Sequence, residues 1–289
     1  MAELLVYIDG EYYPKSEAKI SVFDHGLLYG DGVFEGIRAY DGRILKLDEH
    51  IARLYASAKT IDLEIPLSKE ELKEAILLTT RKNDLKDAYI RVVVTRGHGD
   101  LGLDPRKCPK ATVIIIVGHF PPLFGGVNAT AIVANTRRNA ISALNPMIKS
   151  LNYLNNILAK VEANRANVNE AIMLNQSGTI SEGTGDNLFI VKDGKILTPP
   201  PAAGILIGIT RGIAIQFAEE IGVEVIERQI TVHELITADE AFLTGTAAEI
   251  VPLVEVNGKK IGNGEAGSIT LKLIEKYKEI RKTGTSVYL

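Results

Sequence analysis

Lys149, at the head of Lys149-Ser150-Leu151-Asn152-Tyr153, and Glu182, in the run Ser181-Glu182-Gly183-Thr184-Gly185-Asp186-Asn187, have surroundings suited to chemistry. Mostly apolar residues flank the lysine, Leu144, Pro146, Met147 and Ile148 before it and Leu151, Tyr153 and Leu154 after it. An amine desolvated in this way has a lowered pKa and can serve as nucleophile and base. Glu182 stands among glycines that let a ligand approach the backbone, at the mouth of the apolar run Leu188-Phe189-Ile190-Val191, which reads as a buried strand. A buried carboxylate needs a cationic partner. Pyridoxal 5'-phosphate chemistry uses such a pair: a lysine forms the Schiff base with the aldehyde, and a carboxylate keeps the pyridine nitrogen protonated so that the ring absorbs electrons from a substrate carbanion. Each residue alone has a plainer reading, a solvated lysine before a helix and a carboxylate in a surface turn. Their conjunction is what points to catalysis.

A phosphate must also be held. Gly204-Ile205-Leu206-Ile207-Gly208-Ile209-Thr210-Arg211 is a glycine turn running into a helix predicted over 210–221. Backbone N–H groups of Gly208, Ile209 and Thr210, the Thr210 hydroxyl and the helix dipole would converge on an anion there. Thr244-Gly245-Thr246-Ala247-Ala248-Glu249 repeats the pattern after a strand predicted at 240–244, and reads equally well as a capped turn. Gly97-His98-Gly99-Asp100-Leu101-Gly102 matches the dinucleotide fingerprint G-x-G-x-x-G, but Pro105 and Pro109 leave no run for the helix that must follow. It is read as a loop over the active site.

The elements that position these residues divide into two parts. Asp9-Gly10 and Asp41-Gly42 mark tight hairpins; Asp48 is expected to cap a helix with Ile51, Leu54, Tyr55 and Ala58 on one face; and Ser68 with Glu71 forms a capping box opening a second helix. Ala88 to Thr95 and Ala111 to Val117 supply strands for these helices to cover. Two prolines and two glycines between Phe120 and Val127 suit neither helix nor strand, so the expected organisation is an N-terminal α/β domain over 1–119, a linker over 120–128 and a cofactor-binding domain over 129–289. In the latter, helices are predicted at 151–167 and 267–282, and strands at 129–135, near 170 and 187, and at 223–228.

With 289 residues, 46% of them hydrophobic, the chain can build two α/β cores. Its net charge of -3 comes from intermixed acids and bases, without the basic stripe that nucleic acid requires. One cysteine and five scattered histidines offer no disulfide framework and no metal site. The segment from Met1 to Tyr7 lacks a basic start and moves at once into an alternating strand pattern, so it is not read as a signal peptide, and apolar runs fall short of the ~20 residues that span a bilayer, so a cytoplasmic location is expected.

These motifs, with Tyr29-Gly30-Asp31-Gly32-Val33-Phe34-Glu35-Gly36-Ile37-Arg38, His50-Ile51-Ala52-Arg53-Leu54 and Tyr89-Ile90-Arg91, resemble the fold-type IV pyridoxal phosphate enzymes over nearly the whole chain, and most closely the branched-chain amino acid aminotransferases. The resemblance implies a two-domain α/β fold with α+β character, each domain a mixed sheet with flanking helices. It implies that Lys149 carries the cofactor, that Glu182 meets its ring nitrogen, and that Tyr153 donates to its phenolic oxygen. Leu206 would pack on the ring, while Arg53, Gly208, Ile209, Thr210 and Thr246 would hold the phosphate. Tyr89 and the Thr246 and Ala247 N–H groups would take the substrate α-carboxylate, with Arg38 assisting. Phe34, Tyr29, Tyr153 and Gly36 would line the side-chain pocket, and Arg91 would pair with the γ-carboxylate of glutamate. Leu101 and Leu103 would close the pocket from a neighbouring subunit, in a homodimer at minimum and a hexamer at the larger end. The implied reaction is ping-pong transfer of the amino group of leucine, isoleucine or valine to 2-oxoglutarate. Lys-Ser-Leu-Asn and Gly30-Asp31-Gly32 are also similar to D-amino acid transaminases and aminodeoxychorismate lyases, the alternative on this scaffold. The Arg-x-His carboxylate trap of the D-specific enzymes is missing, since Arg106-Lys107-Cys108 ends in cysteine, and this favours L-substrates.

Overall fold

The computed structural model describes residues 3–288, which form two units. The first contains, in chain order, β1 (Leu5–Ile8), β2 (Glu11–Pro14), α1 (His25–Tyr29), β3 (Gly32–Tyr40), β4 (Arg43–Ile44), α2 (Leu47–Thr60), α3 (Lys69–Lys82), β5 (Ala88–Thr95) and β6 (Thr112–Gly118). The second contains β7 (Ala129–Val133), α4 (Leu154–Arg165), β8 (Glu170–Ile172), β9 (Asn187–Lys192), β10 (Lys195–Thr198), α5 (Ile209–Glu220), β11 (Val225–Glu227), α6 (Val232–Ile236), β12 (Glu240–Gly245), β13 (Glu249–Val256), β14 (Lys259–Lys260) and α7 (Ser268–Ile280). The last strand, β15 (Thr285–Ser286), returns to the first unit, as does the segment Ile148–Asn152. The division is therefore not a single cut near 120–128. The catalytic candidate Lys149 belongs to the N-terminal unit because Phe34 N–H donates to its carbonyl (2.9 Å) and Leu151 N–H donates to Gly32 (2.9 Å), which fills the edge of β3 that the short β4 leaves open.

The first sheet has the order β15-β4-β3-β5-β6-β1-β2 and is antiparallel at every pairing rather than mixed. Asp9-Gly10 and Asp41-Gly42, each with both φ angles positive, make the tight turns expected of them, and such turns permit only antiparallel neighbours. Helices α2 and α3 cover one face, where Leu47, Ile51, Leu54, Leu72 and Ile76 pack on Val33, Ile37, Ile90, Val92 and Ile115. The capping box of Ser68 and Glu71 opens α3. Asp48 does not cap α2. Lys46, with φ 54°, stands at that position, and Asp48 lies inside the first turn, where it still favours the helix dipole and bonds Lys73 Nζ at 2.7 Å.

The second sheet is mixed, in the order β11-β10-β9-β12-β13-β7-β8 with β14 beside β13. Parallel pairs at β10–β11, β13–β7 and β7–β8 flank an antiparallel centre. Phe189 and Phe242 stack there with ring centres 4.7 Å apart, and Leu188, Ile190, Leu243, Val251 and Leu253 are buried together. Small residues of α4, Ala159 and Ala163, sit against Ala171 and Met173 at the β8 edge.

Candidate active site

Strand β3 is buried along its whole length, so each of its side chains faces a packed surface. Val33, Glu35 and Ile37 point toward α2, and Phe34, Gly36 and Arg38 point the other way, as the two-residue period of a strand demands. On the α2 side Glu35 is fully buried and takes Arg53 in a bidentate pair, Nε to Oε1 at 2.7 Å and Nη2 to Oε2 at 2.8 Å, while His50 Nδ1 donates to Oε2 at 2.8 Å. Burial would raise the Glu35 carboxyl, but Arg53 and His50 together hold it down at about 2. Burial also lowers His50 below the usual histidine range, outweighing the pull of Glu35, so the ring is neutral at pH 7. The sequence pointed to Arg53 alone. Its fixed orientation comes from Glu35 and His50, whose relevance appears only once β3 lies against α2.

On the opposite side, cross-strand pairing of Gly36 with Arg91 and of Arg38 with Tyr89 gathers Phe34, Arg38, Tyr89 and Arg91. The Arg91 guanidinium lies 4.6 Å from the Phe34 ring centre and bonds the Tyr89 hydroxyl at 3.2 Å. A Cβ on Gly36 would come within 2.0 Å of that hydroxyl, so glycine is what lets Tyr89 lie across β3. Arg38 Nη2 donates to the Phe120 carbonyl at 2.8 Å, and among the described residues the buried Nε atoms of Arg38 and Arg91 have no hydrogen-bond partner. Lys149 Nζ lies 4.6 Å from the centre of the same Phe34 ring, and its backbone N–H donates to Ser57 Oγ at 3.1 Å. Tyr29, half exposed at the end of α1, donates to the Leu101 carbonyl at 2.6 Å. Leu101 and Leu103 themselves are 68% and 77% exposed, on a loop further tied by the bond from His25 Nε2 to the Asp100 carbonyl.

The other candidates lie in the second unit. Glu182 is 4% exposed, and its carboxylate accepts from Arg138 Nε at Oε1 (2.8 Å) and from Leu206 N–H (2.9 Å) and Asn187 Nδ2 (3.3 Å) at Oε2. Arg138 is itself buried and reaches Asn155 and Asn156 at 3.2 and 3.3 Å. A cation therefore already accompanies Glu182. Arg138 escaped the sequence reading because only the fold brings the stretch after β7 to the glycine-rich loop. Asn187 also donates to the Leu206 carbonyl at 2.8 Å, which fixes the backbone of the residue expected to cover the cofactor ring. Gly208 caps α5 with no side chain bonded to the helix end, so the first-turn N–H groups around Ile209 and the buried Thr210 keep their affinity for an anion. Thr246 and Ala247 form the tip of the β12–β13 hairpin, where the buried Thr244 hydroxyl lacks a partner among the described residues. Tyr153 stands at the start of α4, partly buried.

Residues 32–256 match the family described as amino-transferase class IV. A protein of Methanocaldococcus jannaschii is 57% identical over 284 residues, covering 98% of this chain and 99% of its own. The chain belongs to the class IV aminotransferases. Among solved structures, the branched-chain aminotransferase of Thermoproteus uzoniensis with norvaline superposes with a TM-score of 0.95 at 40% identity, covering 99% of this chain and 100% of that one. The T.th. branched-chain amino acid aminotransferase complexed with N-(5'-phosphopyridoxyl)-L-glutamate gives 0.91 at 38% identity, covering 97% and 95%.

A class IV aminotransferase is a pyridoxal phosphate-dependent transaminase, and the residues present fit that cofactor. A buried carboxylate bonded to Arg138 suits a cationic ring nitrogen, an uncapped helix end suits a phosphate, and an amine over an aromatic face suits an aldehyde carbon. Gly208 is part of that fit. A Cβ there would meet Asn187 Oδ1 at 2.1 Å, so Gly208→Ala must shift the amide whose Nδ2 bonds the Leu206 carbonyl and Glu182. We expect this variant to bind the cofactor at least about tenfold more weakly, roughly the effect of one disturbed charge-assisted hydrogen bond. Equilibrium titration of the apoprotein measures it, and an unchanged affinity would remove Asn187 from the site.

Proposed function

We propose that this chain is a branched-chain L-amino acid aminotransferase, moving the amino group of leucine, isoleucine or valine to 2-oxoglutarate, with the two substrates using one site in turn. The face of β3 and β5 carries this reading. Phe34 and Tyr89 offer aromatic surface to a branched side chain, and the Nε atoms of Arg38 and Arg91 beside them, without a hydrogen-bond partner among the described residues, suit the charged arm of glutamate. The names of the relatives agree with it.

When bound, the cofactor supplies an electron sink for the pair left behind as the substrate loses its α-proton. Lys149 Nζ would tether the cofactor at rest; once the substrate amine has displaced it, the freed amine would take that proton from the substrate α-carbon and give it back at the end of the half-reaction. The Glu182 carboxylate, held by Arg138, Asn187 and the Leu206 N–H, keeps the ring nitrogen protonated. Arg53, oriented by Glu35, joins Gly208, Ile209, Thr210 and Thr246 in holding the phosphate. Leu206 covers the ring and Tyr153 donates to its phenolic oxygen. Tyr89 and the Thr246 and Ala247 N–H groups take the α-carboxylate with help from Arg38. Phe34, Tyr29, Gly36 and Tyr153 line the side-chain pocket, and Arg91 takes the γ-carboxylate.

Absorbance changes of the holoenzyme mixed with single amino acids test this directly. L-leucine, L-isoleucine, L-valine and L-glutamate should convert the cofactor within one half-reaction, whereas D-alanine and aminodeoxychorismate should not. Conversion by D-alanine with L-leucine inert would overturn the reading. Arg91→Met should lower kcat/KM for glutamate and 2-oxoglutarate by ~2–5 kcal/mol, the cost of truncating a buried charge pair, and leave leucine within a few-fold. Equal losses on both substrates would take Arg91 out of that role.

The same reading makes the protein a homodimer at minimum, with a hexamer as the larger assembly, located in the cytoplasm and partnered by small amino acids and 2-oxo acids. The exposure of Leu101 and Leu103 supports a subunit contact at their loop. Light scattering of the purified protein tests it, and a monomer would refute it.

A further inference from the structure

Beyond Glu182 lies another pair of carboxyl groups, to which none of the roles above applies. Asp186 ends the loop that Glu182 opens. It is 5% exposed, and neither of its oxygens has a hydrogen-bond partner among the described residues. Glu170, on β8, is fully buried. Its Oε1 accepts from the N–H groups of Ala171 (2.7 Å) and Thr184 (3.1 Å) and from the Thr184 hydroxyl (2.6 Å). Its Oε2 has no hydrogen bond among the described residues and stands 3.7 Å from Lys160 Nζ. The Thr184 bonds hold Glu170 to the loop two residues before Asp186, so two buried carboxyl groups meet where the loop joins β8, and the charged groups acting on Asp186 are Glu170, Lys160 and Glu182.

Two carboxylates side by side in a dry interior repel, and a single proton between them removes the repulsion while turning two orphaned acceptors into a donor and an acceptor. The loop is wound tightly around Asp186. Gly183 N–H donates to the Asp186 carbonyl at 2.8 Å, and a Cβ on Gly183 would come within 2.1 Å of Asp186 Oδ1. We propose that Asp186 donates a retained proton to the Glu170 carboxylate, and that this acid–carboxylate pair is a positioning device that ties the 182–187 loop to β8 and so fixes the Glu182 carboxylate. Burial pushes the Asp186 acid well above the usual aspartate range, Glu170 and Glu182 add to the rise, and Lys160 opposes it.

An aspartate ionises near pH 4 in an unfolded chain, roughly its ordinary value. With the folded value higher, unfolding releases a proton across the interval between them, so stability falls as pH rises through it. In Asp186→Asn the amide offers an N–H in place of the acid O–H and cannot titrate. The Tm of the full-length holoenzyme Asp186→Asn, minus that of the parent, should therefore grow by several degrees from pH 5 to pH 8. A difference that is constant or shrinks with pH overturns the proposal. Should this variant fail to fold, the parent decides alone: with 13C-labelled aspartate, its infrared spectrum at pH 7 should show the carbonyl stretch of a protonated acid, and the absence of that band overturns the proposal.

The positioning role rests on the reading of Glu182 as partner of the ring nitrogen, and the absorbance band of bound cofactor tests it separately. Asp186→Ala should shift that band and Asp186→Asn should not. If Glu182→Gln shifts the band and Asp186→Ala leaves it in place, the positioning role fails. If neither variant shifts it, the assignment of Glu182 fails and the positioning role falls with it.

Discussion

Replacing Lys149 by alanine is expected to yield a folded protein whose turnover is lower by roughly 10⁴-fold or more, since both a general base and a covalent tether are lost. The fold should survive because the bonds seating this segment, from Lys149 N–H to Ser57 and from Phe34 N–H to the Lys149 carbonyl, are made by its backbone. Removing the amine from above the Phe34 ring forfeits a cation–aromatic contact worth about 0.5–2 kcal/mol, a shift of a few degrees in Tm. Borohydride treatment followed by mass spectrometry should fix cofactor to the parent chain and none to the variant. Turnover at the parental rate, or a fixed adduct on the variant, would place the reactive amine elsewhere.

Glu182→Gln is expected to retain bound cofactor and lose about 10²- to 10³-fold in kcat, because a neutral amide cannot hold the ring nitrogen protonated. The structure adds a second loss. Arg138 is buried with Glu182 as its anion, and removing one partner of a buried pair costs ~3–5 kcal/mol when the other charge is stranded. Since the amide oxygen still accepts from Arg138, the Tm drop should reflect the lower end of that range. The two losses separate in a double variant: Glu182→Gln with Arg138→Met should recover much of the stability and none of the turnover. A single Gln variant with parental kcat would show that Glu182 does not govern the ring nitrogen.

What the sequence disclosed was local. Ser68 and Glu71, three residues apart, form the capping box; Asp9-Gly10 and Asp41-Gly42 form the tight turns; and the glycine turn before Ile209 opens α5. Each of these depends on neighbours within a few positions, which composition and spacing encode directly. The cluster of Glu35 with His50 and Arg53, the pairing of Glu182 with Arg138, and the bond from Thr184 to Glu170 join separate elements, so no local pattern marks them. Asp48 shows the converse limit. A capping residue type sits at the start of a helix, but the chain enters through a left-handed Lys46 and the helix begins one residue before Asp48. The exchange of Ile148–Asn152 into the first unit was equally hidden, since nothing in those five residues states which strand edge they fill.

The return of β15 to the first sheet bears on how the chain is made. Val287 is fully buried in the first core, its carbonyl accepts from Arg81 at 2.8 and 3.0 Å, and Thr285 pairs with Ile44. On the ribosome, residues 32–44 emerge long before 148–152 and 285–287, so the first unit must wait for these later segments before the edge beside β4 is covered. A stop codon placed just after α7 would leave that edge bare and a hydrophobic socket empty, and a shortened transcript should yield aggregation-prone chains rather than a working half.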